Sequence, residues 1–283
     1  MDGTLKKVFR TISPILIYLI IERVVGFGMN LMYILNRLKG NLEITDELDN
    51  QLRLELYDMQ SKNVLLISAI VALVSICIFY PMIKKEWAKR PYIIEAKGSL
   101  MKAYLSVALI SIGFTISVNL LINAWGLFKY DWDFAEVSRL IYYEPLFMQF
   151  IVIGLIVPVC EELLFRGIVF ERISQSGKTS TAIFLTSLLF ALFHGTWIQI
   201  IYAFAFSFLM LYAYQKCGSF RAPLIFHIVS NLSSLLLRQM PTLSTMGYSI
   251  GIVVFVLVGF AGILVLKQDK YYRKVYSKAN VEF

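Results

Sequence analysis

Charge is scarce in this chain. Of 283 residues only 16% are charged, 58% are hydrophobic, and the mean hydropathy is +0.68, a balance that excludes an ordinary soluble domain. Cysteine is sparse too: Cys77, Cys160 and Cys217 fall in or beside apolar stretches without CxxC spacing, so no disulfide framework is implied. The sequence has no Gly-rich phosphate loop, no internal repeat and no low-complexity segment. HExxH is also absent, so a zinc site would have to be assembled from separate helices. Histidine occurs only twice, as His194 and His227.

What the sequence has instead is apolar runs of membrane length. A spanning helix needs about 20 largely apolar residues, because its backbone groups must be hydrogen-bonded internally where water is absent. Runs that fit lie near Ile12 to Leu35, Val64 to Ile83, Ala103 to Phe128, Pro145 to Phe170, Thr179 to His194, Trp197 to Tyr214, Ala222 to Leu237 and Tyr248 to Leu266. The fold class expected is therefore all-α, a polytopic transmembrane bundle of about eight spans, with the fifth and seventh the shortest and most polar. The first run holds Glu22 and Arg23 and ends in no small-residue cleavage site, which predicts a retained helix rather than a signal peptide. Lys and Arg gather in cytoplasmic segments. With the amino terminus inside, the cytoplasmic segments hold 19 of them and the opposite ones 7, so both termini are expected in the cytoplasm. The net charge of +8 then has a topological cause and gives no reason to expect a nucleic-acid partner.

Residues 1–144 hold three spans separated by long loops, including an acidic outer segment from Gly40 to Lys62. Residues 145–283 hold the more tightly connected helices, nearly all the intramembrane polar residues, and a basic tail from Lys267 to Lys278 suited to anionic lipid. The second part is the candidate functional core.

Its fourth run reads Pro158-Val159-Cys160-Glu161-Glu162-Leu163-Leu164-Phe165-Arg166. Two adjacent carboxylates in an apolar helix cost several kcal/mol, roughly, unless they face a polar interior. Glu162 and Arg166 are four apart, on one face and within pairing reach, whereas Glu161 points about 100° away. Simple pairing with Glu161 snorkelling to the boundary is the structural alternative. Pro158 argues against it, because a proline clashes with the carbonyl four residues earlier, that of Gly154, and is best tolerated beside a polar cavity. A lone buried histidine is ordinarily a packing residue. His227 and Asn231, four apart, instead aim two hydrogen-bonding groups into one cavity. Peptide hydrolysis without a Ser or Cys nucleophile needs a base for water, donors for the oxyanion and an acid for the leaving amine, and these residues supply each. A Cys160 nucleophile is the competing reading, opposed by its apolar, anionic surroundings.

At these residues the chain resembles the CPBP family, intramembrane proteases related to the type II CAAX prenyl endopeptidases and to Abi proteins linked to bacteriocin self-immunity. The EExxxR pattern is matched by Glu161, Glu162 and Arg166, FxxxH by Phe190 and His194, and HxxxN by His227 and Asn231. The resemblance covers roughly Pro145 to Leu237. It implies endoproteolysis at the membrane, with Glu161 activating water, assisted by His194, an oxyanion hole of His227 and Asn231, and Glu162 and Arg166 orienting the base. No metal is expected to be obligatory, although the family is often called a metalloprotease; a divalent metal such as zinc, if bound, would sit on Glu161, His194 and His227. The expected partners are a peptide or lipidated protein substrate and membrane lipids. Two other functions fit the same residues: a proton- or ion-coupled transporter, and a non-catalytic immunity or binding protein.

Two geometric expectations follow. Glu161 should lie within about 8 Å of both histidines, with only a water or substrate carbonyl between. The fourth helix should continue to about Ser174, and the site should open to the cytoplasm.

Overall fold

The computed structural model describes residues 3–37, 46–88, 92–97, 100–175, 177–268 and 272–277. Ten helices run in order: α1 (Gly3–Arg37), α2 (Asp46–Lys62), α3 (Val64–Ala88), α4 (Leu100–Ala124), α5 (Trp132–Tyr143), α6 (Leu146–Ser174), α7 (Thr179–Leu192), α8 (Trp197–Cys217), α9 (Arg221–Arg238) and α10 (Thr245–Gln268). A two-stranded antiparallel ribbon pairs β1 (Tyr92–Lys97) with β2 (Tyr272–Ser277). The chain is an all-α polytopic bundle with this one ribbon at its edge. Each of the eight apolar runs coincides with a helix, and six helices, α1, α3, α4, α6, α8 and α10, are long and apolar enough to cross a membrane. α7, with 14 residues, and α9 are not among the six.

Several expectations change in detail. The third run ends at Ala124 instead of Phe128, because Gly126 takes a left-handed φ of 60° and starts a 3-10 turn over Leu127–Tyr130. Part of the acidic outer segment is the helix α2, and its first residues, 40–45, lie outside the described residues. The basic tail includes β2, with 269–271 and 278 outside. His194 is not in a helix. It lies in the turn after α7, where Gly195 reverses the chain at φ 81° and Thr196 caps α8 by accepting from Gln199 N.

α6 is the backbone of the site. Pro158 has no N–H to give, and the helix widens into a π turn over Val152–Ile156, where Val157 N–H bonds Val152 O. In that register the donor due to Ile153 O is Pro158, which cannot supply it. Asn231 Nδ2 donates to Ile153 O instead, at 2.8 Å. The sequence placed the orphaned carbonyl at Gly154; the π turn moves it by one residue. A second π turn spans Leu163–Val169. Such turns are rare and concentrate at functional sites.

The amino-terminal helices pack into this core. α4 runs alongside α9 with three polar ties at four-residue intervals. Ser111 Oγ donates to Phe226 O at 2.7 Å, the hydroxyls of Thr115 and Ser230 hydrogen-bond to each other at 2.8 Å, and Asn119 Nδ2 donates to Ser234 Oγ at 3.1 Å. On its other side α4 crosses α10 so closely that a Cβ on Gly113 would overlap the backbone of Gly259. Small residues at such crossings let backbones approach where no hydrophobic effect drives helices together.

The bundle has two distinct ends. At one, the start of α1, the end of α3 and the end of α6 meet, and buried Glu86 accepts from Arg10 at 2.6 Å and from Arg172 at 2.9 Å. The ribbon follows α3 and α10 at that end. At the other end α2 and α5 meet, Tyr57 Oη donating to Glu136 at 3.1 Å. Asp131 fixes α5 there, since one carboxylate oxygen caps α5 at Phe134 N and the other accepts from Ile198 N at the start of α8.

Candidate active site

α6 is 29 residues long and Glu161 stands near its middle. α7 rises from the α6 end for 14 residues, about 21 Å, which brings His194 to the level of Glu161. α7 is short, and α6 continues to Ser174 as the sequence predicts.

A chain of contacts starts at the buried end. Arg166 and Glu162 are wholly inaccessible and pair through Nη1 and Oε1 at 2.9 Å. The other guanidinium nitrogen donates to Ser207 Oγ at 3.0 Å, and the plane lies 4.3 Å from the centroid of Phe190. The same Glu162 oxygen contacts His227 Nδ1 at 2.9 Å, a geometry that requires the proton on Nδ1, since an ionised carboxylate only accepts. Nε2 of His227 then faces Glu161, 3.6 Å from Oε2. Glu161 keeps some exposure, 12% against 0% for Glu162, so the two carboxylates have the different environments expected of them.

Phe190 explains its place in the FxxxH pattern. Its ring covers the guanidinium of Arg166 and meets His194 edge-on at 4.7 Å between centroids and His227 at 5.8 Å. Its carbonyl accepts from His194 Nδ1 at 2.8 Å. That bond puts the proton on Nδ1 and leaves Nε2 as an acceptor.

Glu161, Phe190, His194, His227 and Asn231 line one cavity of about 260 Å³. Glu162 and Arg166 lie behind it. Cys160 is buried in the apolar core and does not line the cavity, so its thiol is turned away from the candidate chemistry. No group of three His, Cys, Asp or Glu side chains is arranged to hold a metal ion among the described residues. The set of Glu161, His194 and His227 named for zinc is therefore not gathered as ligands, and no step below passes through a metal.

The upper wall was not visible as a site in the sequence. Val118, Asn119 and Ile122 of α4 and Phe134, Ser138 and Tyr142 of α5 all line the cavity, although residues 1–144 carry no matching motif. The signal available was the spacing Ser111, Thr115, Asn119 in an apolar helix. The lining also fixes the mouth. It comes from the α5 ends of α4, α6, α8 and α9, while Phe165, Arg166 and Phe226 close the floor, each fully buried. The cavity lining and the start of α1 thus lie toward opposite ends of the bundle.

Residues 143–233 match the family described as Type II CAAX prenyl endopeptidase Rce1-like. This segment is similar to the Rce1-like family. All three motif groups lie inside the matched Rce1-like segment, and the multi-pass membrane character agrees with it. The chain is also 36% identical over 90 residues to the UPF0177 protein YxdF of Lactococcus lactis subsp. lactis (strain IL1403), covering 31% of this chain and 49% of that one. The similarity thus spans about half the length of that relative. No solved structure matches.

Proposed function

We propose that this chain is an intramembrane endopeptidase that cleaves a membrane-associated peptide or a lipidated protein tail with water activated by Glu161. The observation that carries the reading is the line Glu161, His227, Glu162, Arg166, held by contacts of 3.6, 2.9 and 2.9 Å, ending in a cavity at a carboxylate. Water there donates one hydrogen to Glu161 and the other to His194 Nε2. Its oxygen bonds to the peptide carbonyl carbon, and the oxyanion is held by the second N–H of Asn231 beside the His227 ring. The proton taken by Glu161 passes to the leaving nitrogen as the C–N bond breaks. A through-path for an ion would have to cross the floor of Phe165, Arg166 and Phe226, which is fully buried.

The test is cleavage of a quenched fluorescent peptide by the purified chain. Glu161→Gln should abolish turnover while leaving the melting temperature close to the original, Cys160→Ser should cleave normally, and a chelator should leave most activity. Normal turnover by Glu161→Gln would remove the proposed base. Loss of activity on chelation, restored by zinc alone, would replace the metal-free mechanism.

A further inference from the structure

We infer that the site takes its peptide from the extracytoplasmic side, beneath α5, and that the peptide is uncharged around the bond cut. The structure supplies the first half of the argument. Apart from Met210, whose sulfur meets the Arg166 guanidinium, the cavity lining lies on the α5 side of the Arg166 layer, and the start of α1 and the ends of α3 and α10 lie on the other side. The mouth and the termini therefore face opposite compartments.

Charge supplies the second half. Of the 19 Lys and Arg assigned to the termini's side, Arg166 is in fact buried within the bundle, which leaves 18 against 7. A bias of that size places the termini in the cytoplasm, and with them fixed there the mouth faces outward. An exposed aromatic girdle, Trp125, Tyr130, Trp132 and Tyr143, surrounds α5. Such residues settle at the headgroup level, so α5 lies at the membrane interface, where a peptide can reach the mouth from water or from the outer leaflet.

The wall at the mouth gives the class of peptide. Asn119, Ser138, Gln199 and Ser234 line it with uncharged donors and acceptors, between the rings of Phe134 and Tyr142. An extended backbone finds hydrogen-bond partners there. A charged side chain passing these residues would leave water with no counter-ion among them, and the nearby Arg238 is already engaged on the Tyr142 ring at 4.5 Å from its centroid.

The endopeptidase reading is needed only for what enters, so sidedness is tested separately. Asp133, exposed at the start of α5, and Gly177, exposed between α6 and α7, mark the two faces. Full-length Asp133→Cys and Gly177→Cys, with the unsubstituted chain as control for its own cysteines, are exposed on intact cells to a membrane-impermeant maleimide. Asp133→Cys should be labelled directly and Gly177→Cys only after permeabilisation. Labelling of Gly177→Cys on intact cells, or silence of Asp133→Cys there, overturns the inference. In a second arm, quenched peptides with uncharged centres and charged, impermeant flanks are added to oriented vesicles. Cleavage by right-side-out vesicles, falling at least tenfold when a Lys or Glu flanks the bond, is expected. Cleavage by inside-out vesicles alone overturns the sidedness and leaves the peptidase reading standing. Cleavage by neither removes the peptidase reading while the labelling still decides which way the mouth faces.

Discussion

Arg166 is a wholly buried guanidinium. Arg166 offers hydrogen bonds to Glu162 and Ser207 and stacks on Phe190, and Glu162 in turn holds His227. Removing one partner of a buried pair leaves an uncompensated charge, at a cost of about 3–5 kcal/mol. Arg166→Met should therefore lower the melting temperature strongly, and adding Glu162→Gln should restore part of the loss without restoring turnover, since His227 has then lost its charged anchor. An Arg166→Met chain as stable as the original would show that the pair contributes little. On the proposed mechanism Asn231 has two duties. Asn231→Ala orphans the Ile153 carbonyl, costing about 1–3 kcal/mol, and removes one oxyanion donor, so its rate should fall by about 10²–10³. Circular dichroism melts and kcat together check both effects. The pairing of Glu162 with Arg166 was legible from their spacing alone. The bond from Asn231 to the Ile153 carbonyl was not, because it depends on a π turn that shifts the hydrogen-bond register by one residue.

Among elements, the ladder between α4 and α9 decides where the His227 face points. Thr115 and Ser230 are both buried and satisfy each other at 2.8 Å. Thr115→Val alone strands a hydroxyl and should cost about 1–3 kcal/mol, whereas Thr115→Val with Ser230→Ala should be nearly neutral in stability. A double-mutant cycle on melting in detergent measures the coupling; no coupling would mean that the two hydroxyls bond their own helices instead. Every apolar run has its helix because twenty apolar residues dictate one in lipid. α5 escaped notice because a 12-residue helix at the interface has neither the length nor the apolarity of a span. The placement of His194 in the turn, beyond the helix end at Leu192, was missed for the opposite reason, the apolar pattern running unbroken up to it.

For the whole molecule, the walls of the cavity come from both halves of the chain. A protein lacking residues 3–142 keeps every motif residue but loses the α4 and α5 walls and the ladder that aligns α9. It should be inactive and readily digested by added protease, and full cleavage by such a chain would show that α6 to α9 make a sufficient site. The sequence by itself determined the membrane, the helices and the candidate side chains, because hydrophobic length and the motif spacings around Glu161, His194 and His227 are local properties of the chain. Only the tertiary structure decided the level at which those side chains meet and the end from which they are reached. Depth depends on α7 being short against the 29 residues of α6, and access depends on which helix ends the buried Arg166 layer closes; both are relations between elements far apart in sequence.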